Sequence, residues 1–200
     1  MVIAVVWSGE DFGDTESEVL AYYADRGNRV AEIAAFFLIT VATLFYLWFA
    51  STLRDRLRAV EDKPGGLSAL AFGAGVASAV LLVAAVAIGT AISFTIEDYD
   101  AFAVDPNFAL ALGDVSYLLL VGAGMTASVL VAATSVLAIR TPVLPGWFGW
   151  AGIVVAIALL VSIFFFPFLL YLLWLLVLSV LMLARVPAGR NSEQGALGGD

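Results

Sequence analysis

Four long apolar stretches, nearly free of charge, limit the folds that are open to this chain. A bilayer core of about 30 Å needs roughly 20 apolar residues in a helix that rises about 1.5 Å per residue. Residues 30–53, 67–96 and 115–139 each meet this length, and Glu32 is the single charge within them. The fourth stretch, residues 147–184, has 38 residues without a charge. As one straight helix it would be about 57 Å long, far more than the hydrocarbon core requires.

Pro167 divides the fourth stretch. Proline disfavours helix in the residue before it and suits the first turn of a new helix. The sequence therefore predicts two spans, residues 147–164 and 167–184, and the alternative is a single kinked helix with one end outside the membrane. If spans alternate, two spans place Arg185 and Arg190 on the same side as the other basic loops, and a kinked helix does not. The charge pattern favours two spans.

The composition also requires a membrane. Hydrophobic residues make up 62% of the chain and charged residues 13%, whereas soluble domains have about 45–50% and about 25%. So few charges do not cover a soluble surface, and lipid has to cover it instead. We predict an all-α integral membrane helical bundle with five transmembrane helices and a short outer interfacial helix. Residues 1–29 form an outer N-terminal segment, residues 30–184 the membrane domain, and residues 185–200 a disordered cytoplasmic tail.

The basic residues predict the orientation. Seven of the nine fall in the loops and tail on one side of the predicted spans, and only Arg26 and Arg29 fall on the other. Because positive residues stay in the cytoplasm, we expect the N-terminus of the chain outside and the C-terminus inside a bacterial cell membrane. The seven cytoplasmic residues are Arg54, Arg56, Arg58, Lys63, Arg140, Arg185 and Arg190.

Several function classes are excluded or disfavoured. The net charge of −8 argues against nucleic acid, whose phosphates repel an acidic chain. The chain has no cysteine and no histidine, which excludes thiol chemistry, the usual zinc sites and every histidine-based triad. The acidic loop around Glu97 and Asp105 does not have EF-hand spacing. We therefore expect no catalytic residue, no cofactor and no metal site, and we expect that the protein is not an enzyme.

Two groups of polar residues are candidates for function. Glu32, Asp114 and Tyr117 lie at the outer ends of spans and are candidates for a polar mouth, although Asp114 is equally suited to be the N-cap of the third span. At the inner end, three arginines that suit contact with lipid headgroups alternate with apolar residues, which predicts that the first span continues as an amphipathic helix on the membrane surface. The arginines are Arg54, Arg56 and Arg58, and the apolar residues are Leu53, Leu57 and Val60.

A short helix is predicted before the first span. Thr15 and Glu18 have the spacing of a capping box, and Gly27 suits the position just after a helix C-terminus. A helix from residue 16 to about residue 25 is expected to lie at the outer interface, with Tyr22 and Tyr23 on it. We favour a connector to the first span over a lid or docking element.

Rows of small residues predict close helix packing. Ala69, Gly73 and Ala77 repeat at four-residue spacing, as do Gly124 and Ser128, and such rows let helix backbones approach in lipid. We expect packing between the second and third spans, and a homodimer face is the alternative.

The chain resembles a group of uncharacterised bacterial multi-pass membrane proteins, a domain of unknown function. The likeness rests on VLAYYADRG (residues 19–27), LWFASTLRDRLR (residues 47–58), GGLSALAF (residues 65–72) and LPGWFGW (residues 144–150). Members of that group begin with one further span, so the resemblance implies that residues 1–7 are the outer end of a first transmembrane helix that this chain lacks. It implies no activity.

Three functions are compared on these grounds. The first is a non-enzymatic bundle that acts through membrane lipids, a second copy of itself or another membrane protein. The second is a small-solute or lipid-like transporter or binding protein, and the third, least favoured, is a membrane enzyme. A polar cavity would favour the transporter, and it would be lined by the interior hydroxyls of Thr40, Thr43, Ser78, Thr90, Thr126 and Ser128.

Overall fold

The computed structural model describes residues 16–61, 66–99, 102–141, 144–160 and 166–184. Regular structure in these residues is helical throughout, which confirms the all-α prediction. Thr15 of the predicted capping box, the first seven residues and the predicted tail lie outside the described residues. The helices are α1 (Glu16–Ala24), α2 (Arg26–Arg58), α3 (Leu67–Asp98), α4 (Pro106–Arg140), α5 (Gly146–Leu160) and α6 (Phe166–Ala184).

Four helices of the described residues, α2, α3, α4 and α6, are long and apolar enough to cross a membrane. The chain is thus a helical bundle with several apolar membrane helices. The remaining apolar helix, α5, has 15 residues and is about 22 Å long. It is shorter than the 18 residues predicted for the fourth span, and residues 161–165 between α5 and α6 are not described.

Asp25 separates α1 from α2. Its side chain accepts a hydrogen bond from the Gly27 backbone nitrogen at 2.8 Å, which makes it the N-cap of α2. The predicted helix from residue 16 to about residue 25 is confirmed, since α1 is Glu16–Ala24. The role expected of Gly27 just after the end of that helix is wrong, because Gly27 lies in the first turn of α2. The Asp25 carboxylate accepts a hydrogen bond from a backbone amide in the first turn of α2 and so begins that helix. No glycine is needed to end α1.

Asp105 and Pro106 begin α4, eight residues earlier than Asp114. The Asp105 carboxylate accepts from the Asn107 backbone nitrogen at 2.9 Å, and Pro106 occupies the first helical position, where its missing N–H costs nothing. The N-cap role considered for Asp114 is wrong for this reason. Asp114 lies inside α4 with its side chain exposed.

The membrane helices pack in chain order. α3 packs against α2 and α4, and α5 packs against α4 and more lightly against α6. α6 returns to α2, where the Tyr46 and Tyr171 hydroxyls are 3.0 Å apart. Leu53 and Leu57 are buried in the main core, so α2 continues straight into the bundle. The predicted amphipathic helix on the membrane surface is wrong, because both leucines contact protein instead of lipid.

The small residues of α3 pack through a different row from the predicted one. Gly73 is exposed, and a Cβ built there would meet no atom within 4 Å. Gly75 is buried instead, and a Cβ there would lie 2.7 Å from Leu130 Cδ1. On α4, Gly124 and Ser128 are buried as expected. The Ala69, Gly73 and Ala77 row therefore does not hold α3 against α4.

Glycines also bring α5 against α4. A Cβ at Gly149 would lie 3.0 Å from the Ser135 backbone oxygen, and one at Gly152 would overlap Ser135 Oγ and lie 2.8 Å from Trp174 Nε1. Trp174 belongs to α6 and stacks on Phe148 with ring centroids 5.3 Å apart. These contacts join three helices where the backbones approach closely.

Candidate functional site

Glu32 links three helices at the end of the bundle where α1 lies, which we call the α1 end. One carboxylate oxygen accepts from the Tyr22 hydroxyl of α1 at 2.9 Å. The other accepts from the Ser93 hydroxyl of α3 at 2.6 Å. Glu32 itself is on the second turn of α2 and is half-buried. Its charge is thus engaged in holding helices together.

Arg29, one turn earlier on α2, makes a second link. Its guanidinium lies 2.8 Å from Glu97 of α3 and also donates to the Tyr23 and Ala24 backbone oxygens at 2.6 and 3.1 Å. These are among the last carbonyls of α1, which have no partner within their own helix. Arg26 lies farther from Glu97, at 3.6 Å, and is exposed.

We call Tyr22, Arg29, Glu32, Ser93 and Glu97 the α1 latch. Beneath it, Val19 and Tyr23 are buried with Ile92 and Ala109 in a small apolar cluster. Polar and apolar contacts together hold α1 against the ends of α2, α3 and α4. Arg29, Ser93 and Glu97 are not evident as site residues in the sequence, although the charges of Arg29 and Glu97 at span ends are a signal.

Burial and the neighbouring carboxylate raise the pKa values of the two tyrosines of α1. Burial and the charge of Glu32 raise the pKa of Tyr23 to about 12. Burial, the Glu32 charge and the hydrogen bond to it raise the pKa of Tyr22 further. Both phenols therefore stay neutral throughout the physiological range and serve as hydrogen-bonding and apolar groups. They are unsuited to act as bases.

The predicted polar mouth is distributed over two helices. Glu32 is in the latch on α2, whereas Asp114 and Tyr117 are on neighbouring turns of α4, exposed and half-buried respectively. The Asp114 side chain makes no hydrogen bond or ion pair with any described residue. A ligand site that uses all three residues stays a prediction.

The three arginines at the opposite end, which we call the arginine end, differ in their contacts. The Arg54 guanidinium lies 5.3 Å from the centre of the Phe72 ring, a cation–π distance. Arg56 donates to the Met182 backbone oxygen of α6 at 2.8 Å, and Arg58 is exposed. Two of the arginines thus also contact protein, and lipid contact by all three stays a prediction.

Glu61 organises the connection between α2 and α3 and was missed from the sequence. Its carboxylate accepts from the Leu67 backbone nitrogen and the Ser68 hydroxyl, both at 2.6 Å. Glu61 therefore accepts hydrogen bonds from donors in the first turn of α3, although it lies six residues before Leu67. These contacts are structural, because they satisfy donors in the first turn of α3.

The interior hydroxyls do not line a polar cavity. Five of the six named above donate to backbone oxygens, mostly of their own helix, as Thr43 does to Ile39 and Thr90 to Val86 at 2.8 Å. Ser78 donates across to Ala123 of α4, also at 2.8 Å. Thr40 Oγ1 is the exception, since it is buried without a partner. The remaining donors are those of Thr126 and Ser128.

Metal-binding chemistry is not indicated in the described parts of the chain, where no three Asp, Glu, His or Cys side chains converge. Comparison with models of known protein families, with curated proteins and with solved structures finds no match. The resemblance to a bacterial membrane family consequently stays a prediction.

Proposed function

We propose that this chain is a non-enzymatic membrane bundle that acts by binding lipids or a protein partner at its lateral surface. The observation that carries this is the contrast between the interior and α2. Interior hydroxyls are largely used by backbone oxygens, whereas only 11% of the most apolar window of α2 is buried. The apolar side chains that remain free to bind a lipid or a partner therefore lie on the outside of the bundle.

The exposed surface of α2 is rich in large side chains. Phe37, Leu38, Phe45 and Trp48 are all well exposed, Trp48 at 73%. Aromatic residues supply much of the contact energy in protein interfaces, and tryptophan also suits the membrane boundary. This surface is therefore suited to contact with either lipid or a membrane protein.

Native mass spectrometry of the protein released from its own membrane tests the proposal. We expect retained lipid, a second copy or another membrane protein. A lone monomer free of lipid and partner would contradict it. The assay detects partners without requiring knowledge of an activity.

A second candidate is a transporter or binding protein for a small solute or lipid-like molecule. The buried, unpartnered hydroxyls of Thr40 and Thr134 favour it, because such groups usually bind water or a ligand. A Thr40→Cys variant tests this, since the chain has no cysteine of its own. Labelling by a water-soluble thiol reagent would support a transport route, and protection at that position would count against it.

We also propose five spans in a bacterial plasma membrane, with the α1 end outside and the arginine end in the cytoplasm. The seven-to-two distribution of basic residues supports this orientation. For the fifth span, the support is that α5, residues 161–165 and α6 form one continuous apolar segment. Cysteine labelling, described in the Discussion, tests the orientation and the span count together.

A further inference from the structure

A groove lies between α2 and α6 at the arginine end. Both helices run toward this end, and two polar contacts join them, Tyr46 with Tyr171 and Arg56 with the Met182 backbone oxygen. The groove has a volume of about 330 Å³, within the roughly 300–1,000 Å³ of small-molecule sites. Its lining residues are Phe45, Trp48, Phe49, Thr52, Arg56, Ser179, Met182 and Leu183.

The walls of the groove are apolar in effect. The Thr52 hydroxyl donates to the Trp48 backbone oxygen at 3.1 Å, and the Ser179 hydroxyl donates to the Leu175 backbone oxygen at 2.8 Å. Both hydroxyls are therefore occupied within their own helices. What remains for an occupant is aromatic and aliphatic surface, which suits a hydrocarbon chain.

Arg56 supplies the one charge in the lining. Its guanidinium has five N–H donors, and the described contact to Met182 uses one nitrogen. No carboxylate of the described residues forms an ion pair with it. An anion beside Arg56 would complete the hydrogen bonding of a half-buried cation.

We propose that this groove binds an anionic glycerophospholipid from the leaflet at the arginine end. One acyl chain lies along the aromatic wall, and the phosphate accepts hydrogen bonds from Arg56. Charge complementarity selects this occupant, because a zwitterionic lipid offers less net charge and a free anion does not use the apolar wall. The inference rests on the proposed function and names its lipid class and site.

Native mass spectrometry with added lipid measures the affinity of the groove for each lipid. Purified, delipidated protein is titrated with phosphatidylglycerol and with phosphatidylcholine of the same chain length. We expect tighter binding of the first phosphatidylglycerol, and we expect Arg56→Gln to weaken it about tenfold, as loss of a charged hydrogen bond does. The matched control is Arg58→Gln, which removes the same charge outside the groove lining and should change binding less than twofold.

A second pair of variants keeps Arg56 in place. Ser179→Trp fills the groove and should abolish the tight site for phosphatidylglycerol, whereas Val180→Trp places the same side chain at the neighbouring exposed position and should not. Thermal unfolding of each variant shows whether it is folded. This pair decides the question if Arg56→Gln unfolds the protein by losing its contact with α6.

The outcomes separate this inference from the proposed function. If Ser179→Trp and Arg56→Gln bind phosphatidylglycerol as the wild type does, the groove is not the site, even though lipid is bound elsewhere. If inorganic phosphate displaces phosphatidylglycerol at equal concentration, the site recognises a free anion and the acyl-chain proposal is overturned. If the wild type retains neither lipid nor partner from its membrane, the proposed function fails as well.

Discussion

At the scale of single residues, glycine marks where helices touch and where they do not. Gly152 faces Ser135 and Trp174 at a distance that leaves no room for a methyl group, whereas Gly73 faces open space. Both are glycines in the middle of apolar helices, and they differ only in their neighbours. The same substitution should therefore have opposite effects at the two positions.

Gly152→Ala is expected to destabilise the bundle by about 1–3 kcal/mol, the usual cost of overpacking. Gly73→Ala, its matched control, should be neutral or stabilise by up to about 1 kcal/mol, because alanine favours helix. Thermal unfolding in detergent, followed by circular dichroism, measures both. Equal stability of the two variants would show that α5 does not approach α4 and α6 as closely as described.

At the scale of elements, α1 is held by side chains of its neighbours more than by its own length. A helix of nine residues is marginal in isolation. Burial of Val19 and Tyr23 and the contacts of Arg29 and Glu32 stabilise it in place. We therefore expect α1 to be stable only when it is packed against the ends of α2, α3 and α4.

Arg29→Gln is expected to loosen α1, since it removes the ion pair with Glu97 and the hydrogen bonds to the end of α1. Hydrogen exchange should increase in residues 16–24 and stay unchanged in α5. A loss of about 1–2 kcal/mol in local protection is expected for charged hydrogen bonds of this partly buried kind. Arg26→Gln is the matched control, because Arg26 is exposed and 3.6 Å from Glu97. Unchanged exchange in Arg29→Gln would mean that the apolar cluster alone holds α1.

At the scale of the whole molecule, the contact between α2 and α6 fixes the depth at which α6 begins. Tyr46 contacts Tyr171, and Tyr46 lies 20 residues into α2, about 30 Å from its start. Tyr171 lies only five residues into α6. The start of α6 therefore lies well below the α1 end, at a depth that suits either a short span or a helix that enters and leaves the membrane on one side.

Single cysteines distinguish the two topologies, because the chain has no cysteine of its own. With a thiol reagent that does not cross membranes, Asn107→Cys should react from outside and Thr141→Cys only after permeabilisation. If five spans are correct, Phe166→Cys, which is exposed at the start of α6, should react from outside. Labelling of Phe166→Cys from neither side would favour a hairpin buried in the membrane and contradict the fifth span.

Much of the fold was predictable because length and charge are local properties. Apolar stretches predicted α2, α3, α4 and α6. Pro167 lies in the first turn of α6, as expected of a proline, and the break predicted before it falls on residues 161–165, outside the described residues. Helix starts were less predictable. Asp114 and Asp105 are both good caps by type, and only the proline after Asp105 distinguishes them in the sequence.

The candidate sites were predicted only in part. Glu32 and Arg56 were recognised as unusual polar positions, yet their partners, Tyr22, Ser93 and the Met182 backbone oxygen, lie on other helices. Such pairs join residues far apart in the chain, and a single sequence does not encode the distances between them. The groove between α2 and α6 was not foreseen for the same reason.

The long and nearly uncharged apolar stretches determine by themselves that this protein is helical and suited to a membrane. What only the tertiary structure decided is which side of each helix meets another helix. A helix that is apolar on every side has no preferred face of its own, so its rotation follows from the neighbours that fit it. That rotation buries Gly75 and exposes Gly73, and it places Arg56 beside an open groove.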